Sequence, residues 1–230
     1  MKRFYKTATA QASADGGAVV LLDGRVLKTP AKQDMRLPTL ALAEAIAAEW
    51  AAQGAEIRPQ DMPLMQLAAT ALDRLALDRS PAVADVVRYS GSDLLAYRAE
   101  FPPELVLRQQ AEWQPLLDWF RERYDVAMNV TQSITAVPQP PELAERIRRV
   151  CETIDPLRLT ALQTATNVCG SVVIALALLE GRVDAMGAFR IGYLDELHQA
   201  ERWGEDEEAV ARRQALQAEL AAIERFISLL

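Results

Sequence analysis

Residues 19–28 read VVLLDGRVLK, and they decide the fold class. Two apolar runs, Val19-Val20-Leu21-Leu22 and Arg25-Val26-Leu27-Lys28, flank Asp23-Gly24. That dipeptide favours a two-residue type I′ turn, because both central positions need positive φ. The pattern predicts a β-hairpin and places β structure in the first third of the chain. Outward from it, Phe4 to Thr9 offers a third strand, Gly16-Gly17 a turn, and Pro30 and Pro38 suit connections.

From Thr39 the period changes. Leu42, Ile46 and Trp50 recur at helical steps and Gly54 can close that helix. Glu56 to Pro63 is predicted extended, with Pro59 and Pro63 barring helix continuation. Leu64, Leu67, Ala68, Ala71 and Leu75 start a further helix, and after Ser80-Pro81 another runs through Val83, Val86, Val87 and Tyr89. Gly91-Ser92-Asp93 interrupts the pattern before Leu94 to Arg98, and Val126 to Thr131 is a short strand or a loop. The fold class is therefore α+β: a small β-rich N-terminal domain with one or two helices, residues 1–75, then a larger all-helical C-terminal domain, residues 76–230.

Within the helical part, Pro103 to Tyr124 forms one helix, with Leu107, Trp113, Leu116, Leu117 and Phe120 as its apolar content and Pro115 as a kink. Residues 136–141 (AVPQPP) make a stiff extended connection. Pro141 to Ile154 is basic on its outer face through Arg146, Arg148 and Arg149. Leu157 to Leu179 is apolar nearly all round, as a central bundle helix is, and helices from about Asp184 to Trp203 and from Glu205 to Leu230 complete the set.

Composition narrows the function classes. Half of the 230 residues are hydrophobic, enough for a substantial core. A net charge of −7 and a pI near 4.9 argue against non-specific nucleic-acid binding. The charge is uneven: residues 1–36 carry net +4 and all the lysines, leaving −11 for the rest. One histidine and two separated cysteines, Cys151 and Cys169, cannot assemble a Cys/His zinc site, and buried reduced thiols fit a cytoplasmic setting. The longest apolar stretch, Val168 to Leu179, is too short to span a bilayer, so no membrane insertion is expected. The basic N-terminus lacks the apolar run of a signal peptide.

The working surface is expected in residues 188–209, AFRIGYLDELHQAERWGEDEEA, which hold the only histidine and the densest carboxylates. Read as one helix, Met186, Phe189, Tyr193, Leu197 and Ala200 form a buried stripe, while Asp195, Gln199 and Arg202 face solvent. Glu196 and Trp203 lie seven apart on the boundary with Gln199 beside them, and Glu207 joins that edge if the helix runs through Gly204. An aromatic among carboxylates and an amide has the core-and-rim make-up of a protein-binding patch. The acids also admit a capping reading, with Gly204 closing one helix and Glu205, Asp206, Glu207 and Glu208 opening the next.

Catalytic patterns are scarce: no GxSxG, P-loop or GxGxxG is present. His198 could pair with Asp195 or Glu201 at helical spacing. Glu205 and Glu208 form an ExxE that could hold magnesium in an all-α hydrolase, which would need a second carboxylate pair facing it. Asp93 and Arg98 are a second constellation, either a buried structural pair or the lining of a groove.

Several short segments, taken in order, resemble a known family. They are Arg3-Phe4-Tyr5-Lys6, Asp23-Gly24-Arg25 with Leu27 to Pro30, Glu49-Trp50, Met62-Pro63-Leu64, Asp93-Leu94-Leu95 with Tyr97-Arg98-Ala99, and Trp203-Gly204 with Glu207. Together they look like the assembly chaperones that bind the α subunit of the F1 sector of ATP synthase. Ala96 departs from the cysteine of many relatives, and the histidine and aspartate that mitochondrial relatives often carry after Glu207 are lacking. The resemblance implies a non-enzymatic, cofactor-free cytoplasmic chaperone, a monomer when free, that covers the unassembled α subunit's interface. Glu196, Gln199, Trp203 and Glu207 are the partner-binding residues expected on this reading.

Overall fold

The computed structural model describes residues 1–14, 16–204 and 206–230. The chain divides into two compact units. Residues 1–79, 155–161 and 225–230 form the first, and residues 80–154 and 162–224 the second.

The first unit is built on an antiparallel sheet of β1 (Ala8–Ala12), β2 (Ala18–Leu22), β3 (Arg25–Val26) and β4 (Arg36–Leu37). β2 is its centre, pairing with β1 along one side and with β3 and β4 along the other. Its Ala18, Val20 and Leu22 alternate into the core. Asp23 and Gly24 both sit at positive φ, 48° and 78°, as the predicted turn requires. The strand expected over Phe4 to Thr9 begins only at Ala8. Before it, the N–H groups of Lys6 and Thr7 donate to the Asp23 carboxylate at 2.8–3.1 Å and so are not available to a ladder.

α1 (Leu40–Ala51) covers the sheet with Leu42, Ile46 and Trp50 buried, and Thr39 caps it by accepting from the Leu42 N–H. The predicted extended segment 56–63 holds a bridge at Glu56 and a single 3₁₀ turn, Pro59–Asp61. α2 (Pro63–Thr70) runs on into a π turn over Ala71–Leu75. No side chain of its own caps α2. Glu49 of α1 does so instead, accepting from the Leu64 and Met65 N–H groups at 2.8 and 2.9 Å.

The second unit is helical: α3 (Ser80–Ser90), α4 (Pro103–Tyr124), α5 (Pro141–Thr153), most of α6 (Pro156–Cys169), α7 (Val172–Leu179), α8 (Ala185–Gly192), α9 (Leu194–Trp203) and most of α10 (Glu207–Ser228). Its core holds Trp113, Phe120, Leu143, Ile147 and Leu162, and α4 continues through Pro115.

The single helix expected over Leu157 to Leu179 is two. The chain breaks at Gly170-Ser171, where the Ser171 hydroxyl accepts from the Ile174 N–H at 3.1 Å and opens α7. Asp93 supplies a second acceptor there. Wholly buried, it takes the Val172 and Val173 N–H groups at 2.7 and 3.2 Å and the Leu95 N–H at 3.0 Å. The Asp93–Arg98 pair does not form. Arg98 instead donates to the carbonyls of Leu95 and Gln109 and lies over the Trp113 ring. Val126 to Thr131 makes one parallel bridge, Thr131 to Tyr97.

The helix expected from Asp184 to Trp203 is also two. α8 ends at Gly192, and Tyr193, with φ −114° and ψ 21°, leaves the helix before α9 starts. The break resets the phase for α9, which buries Leu194 and His198. Within α8 the buried face is Ala185, Ala188, Phe189 and Ile191, and Met186 lies off it, 58% exposed, instead of joining a buried stripe.

Candidate functional site

The expected surface lies on α9 and the start of α10. α9 ends because Gly204 turns to φ 86° and ψ 176°, a region essentially confined to glycine. The Asp206 carboxylate then accepts from the Ala209 N–H at 2.7 Å, the geometry of an N-cap, and Glu207 and Glu208 fill the first turn of α10. The capping reading of these acids therefore holds at Asp206. Negative charge in that turn is favoured by the helix dipole whatever else the acids do.

On α9, Glu196, Gln199 and Trp203 stand at steps that share one helical face. Trp203 is 78% exposed, a large apolar side chain in water at the helix end. Gln199 is exposed beside it. Glu196 is different: α10 holds it, with Arg213 at 3.3 Å and Arg212 at 3.8 Å from its carboxylate. Arg213 is itself buried, so this pair anchors α9 to α10 more than it offers a charge to solvent. Glu207 is exposed across the Gly204 turn, on a separate helix.

Two further ion pairs frame the end of α9. Arg108 meets Glu201 at 2.6 Å, and Glu104 meets Arg202 at 3.8 Å. They hold the tip of α9 beside the first turns of α4. Leu107 lies between Glu104 and Arg108 in the chain and is 70% exposed, although it was expected among the apolar content of the helix. The buried stripe of α4 runs Leu105, Gln109, Trp113, Leu116, Phe120, and Leu107 lies off it. A helical phase drawn from Trp113 and Phe120 carries that signal in the sequence alone. Phe101, just before α4, is 77% exposed.

The remaining chemical groupings differ from expectation. His198 is buried at 5% exposure, and neither ring nitrogen has a hydrogen-bond partner in the structure, so the pairing with Asp195 or Glu201 does not form. Asp195 accepts instead from the Gln109 amide at 2.8 Å. Of the ExxE acids, Glu208 is exposed in the first turn of α10, whereas Glu205 lies outside the described residues. Both cysteines are free and buried, and burial pushes each thiol up to about 12. Among the described residues no helix is long and apolar enough to cross a membrane.

Comparison with known proteins gives this arrangement its class. The fold is that of chaperones: the crystal structure of Atp12 from Paracoccus denitrificans superposes with a TM-score of 0.91 at 40% identity, over 99% of this chain and 97% of that one. A candidate chaperone from Agrobacterium tumefaciens matches with a TM-score of 0.92 at 38% identity, over 99% of this chain and 85% of its own. The curated mitochondrial protein atp12 of Schizosaccharomyces pombe is 27% identical over 220 residues, 90% of this chain and 75% of its own. Residues 2–121 match the family model described as ATP12 chaperone protein. The chain belongs to the ATP12 chaperone family, whose function is non-enzymatic.

Proposed function

We propose that this chain holds the newly made α subunit of the F1 sector of ATP synthase and covers its subunit interface until F1 assembles. It does so in the cytoplasm, as a monomer when free and without a cofactor. Membership of a chaperone family supports the class of activity. The order of segments from Arg3 to Glu207 that resembles the α-subunit chaperones supports the client. An unassembled subunit exposes an apolar interface that aggregates, and a temporary cover must bind it without filling it for good.

The contact edge proposed is Trp203 with Gln199, Glu196 and Glu207. The observation that carries it is the 78% exposure of Trp203 at a helix end ringed by charge. An exposed aromatic supplies contact energy, while flanking acids steer a basic client surface into register. Because Arg212 and Arg213 hold Glu196, its part is to fix α9, and Glu207 supplies the outward charge. The exposed Leu107 extends the apolar share of this edge onto α4.

Co-expression with the F1 α subunit of the same source, followed by pull-down, tests the reading. Wild type is expected to capture the subunit and keep it soluble, and Glu207→Lys to lose capture with only the small fall in its own melting temperature that a reversed charge in a first helical turn brings. Capture undiminished in Glu207→Lys would move the contact elsewhere, and no capture by wild type would remove the client.

A further inference from the structure

The first unit carries a groove of about 780 Å³ that none of the α9 and α10 residues lines. Buried Leu27, Ile57, Met62 and Met65 line its inner part, and Phe4 and Val26, 64% and 37% exposed, stand at its mouth. A volume of this size with a mostly apolar lining falls in the range of built ligand sites, which run from about 300 to 1,000 Å³. Thioether side chains let such a lining adapt to sequences that differ. An aromatic left 64% in water at the mouth is unexplained by the packing of the unit itself.

Two observations say what fits. First, the groove runs along a sheet edge. β3 is the last strand on its side of β2, and Leu22↔Arg25 is the closing pair of the hairpin. With the Leu27 N–H donating to the Val20 carbonyl at 2.8 Å, the alternation of an antiparallel ladder turns the N–H and C=O of Val26 away from β2. An extended segment can therefore add its backbone beside Val26 and drop alternate side chains into the groove. Second, Arg25 offers a cation at the mouth. Arg25 and Lys28 both line it; Asp34 holds Lys28 at 2.5 Å, Arg25 meets no acid among the described residues, and Asp23 is bound by the N–H groups of Lys6 and Thr7 and by the Thr7 hydroxyl while keeping its charge. Residues 1–36 carry net +4 in a chain of −7.

We propose that this groove is a second docking surface, which takes an extended segment of a partner polypeptide with an apolar centre and flanking carboxylates. It is separate from the α9 edge, so one client could be held by a basic region at the first surface and a strand-like segment, its carboxylate on Arg25, at the second. Two weak contacts on one client act together through effective concentration, and each alone stays easy to displace.

The test uses the full chain and a capped peptide with a valine-rich centre and glutamate at both ends, together with a counterpart in which lysine replaces glutamate. Binding is read by fluorescence anisotropy, and its place by NMR of ¹³C-methyl methionine. The glutamate peptide is expected to bind at least about tenfold tighter than the lysine peptide and to shift the Met62 and Met65 methyl signals but not those of Met128 and Met186. Phe4→Ala and Arg25→Glu, both at exposed positions, should each weaken it about fivefold or more with unchanged melting temperature. Trp203→Ala should leave it intact, so that failure of the α9 surface and failure of the groove are told apart. Equal affinity for both peptides, no binding at all, or shifts at Met186 would overturn the proposal. So would Met62 and Met65 shifts that rise with protein concentration in the absence of peptide, because the occupant would then be a second copy of the chain.

Discussion

Asp93 joins the 3₁₀ turn Leu94–Ala96 to the start of α7, and it does so as a fully buried carboxylate. Burial pushes its carboxyl from an ordinary 3.8 up to about 6, against the opposing pull of the Leu95, Val173 and Val172 N–H groups and the Ser171 hydroxyl. Because the folded value lies above the unfolded one, the associated stability is present below about pH 4 and is lost as pH rises through 6. The melting-temperature difference between wild type and Asp93→Asn is therefore expected to move in favour of wild type as pH falls from 7 to about 4.5. A difference that stays flat, or moves the other way, would show that Asp93 is not the titrating group. Gly204 is a second residue whose role is conformational. A Cβ there meets nothing within 4 Å, so Gly204→Ala costs backbone strain alone, of order 1–3 kcal/mol. Urea unfolding should read that loss, and an unchanged midpoint would mean the turn relaxes.

At the scale of elements, the hairpin was legible because its signal is local: Asp23-Gly24 between two apolar runs needs nothing from elsewhere in the chain. The long helix over 157–179 was legible as apolar but not as broken, because Gly170-Ser171 inside a hydrophobic run reads as packing until Asp93, 79 residues away from Val172, is seen to cap α7. The same holds at Tyr193, where the chain reverses phase to bury His198 with no helix-breaking proline to announce it. Residues 155–161 and 225–230 fold with the first unit, and no periodicity could say so, because which core a helix end joins is decided by tertiary packing. Residues that made the family recognisable are mostly structural pins: Arg3 on the Tyr5 and Lys6 carbonyls, Tyr5 on the Trp50 carbonyl, Asp23 on Lys6 and Thr7, and Glu49 on α2. Trp203 and Phe4 are the exceptions, both exposed and without such a duty. α7 gives the matching prediction. Residues Val172 to Leu178 are all buried, so Leu176→Asp is expected to cost at least about 4 kcal/mol through a lost apolar contact and a buried acid. Circular dichroism should show the helical signal melting far below wild type. Retention of the wild-type melt would mean α7 is not the core of the second unit.

At the scale of the whole molecule, a chain of net −7 carries net +4 over its first 36 residues and has its densest acids near the other end. The two surfaces proposed above can recognise different parts of one client and so set its orientation, which a single apolar patch cannot. Association through such surfaces is steered by charge, so capture of the client should slow as salt rises, and a capture rate unaffected by ionic strength would speak against electrostatic recognition. The central claim is that the exposed end of α9 keeps the F1 α subunit from aggregating. Light scattering of the diluted α subunit, with wild-type chain or Trp203→Ala at equal concentrations, measures this most directly. The account predicts that wild type suppresses scattering and that Trp203→Ala, with its melting temperature unchanged, does not. Equal suppression by the two proteins would contradict it.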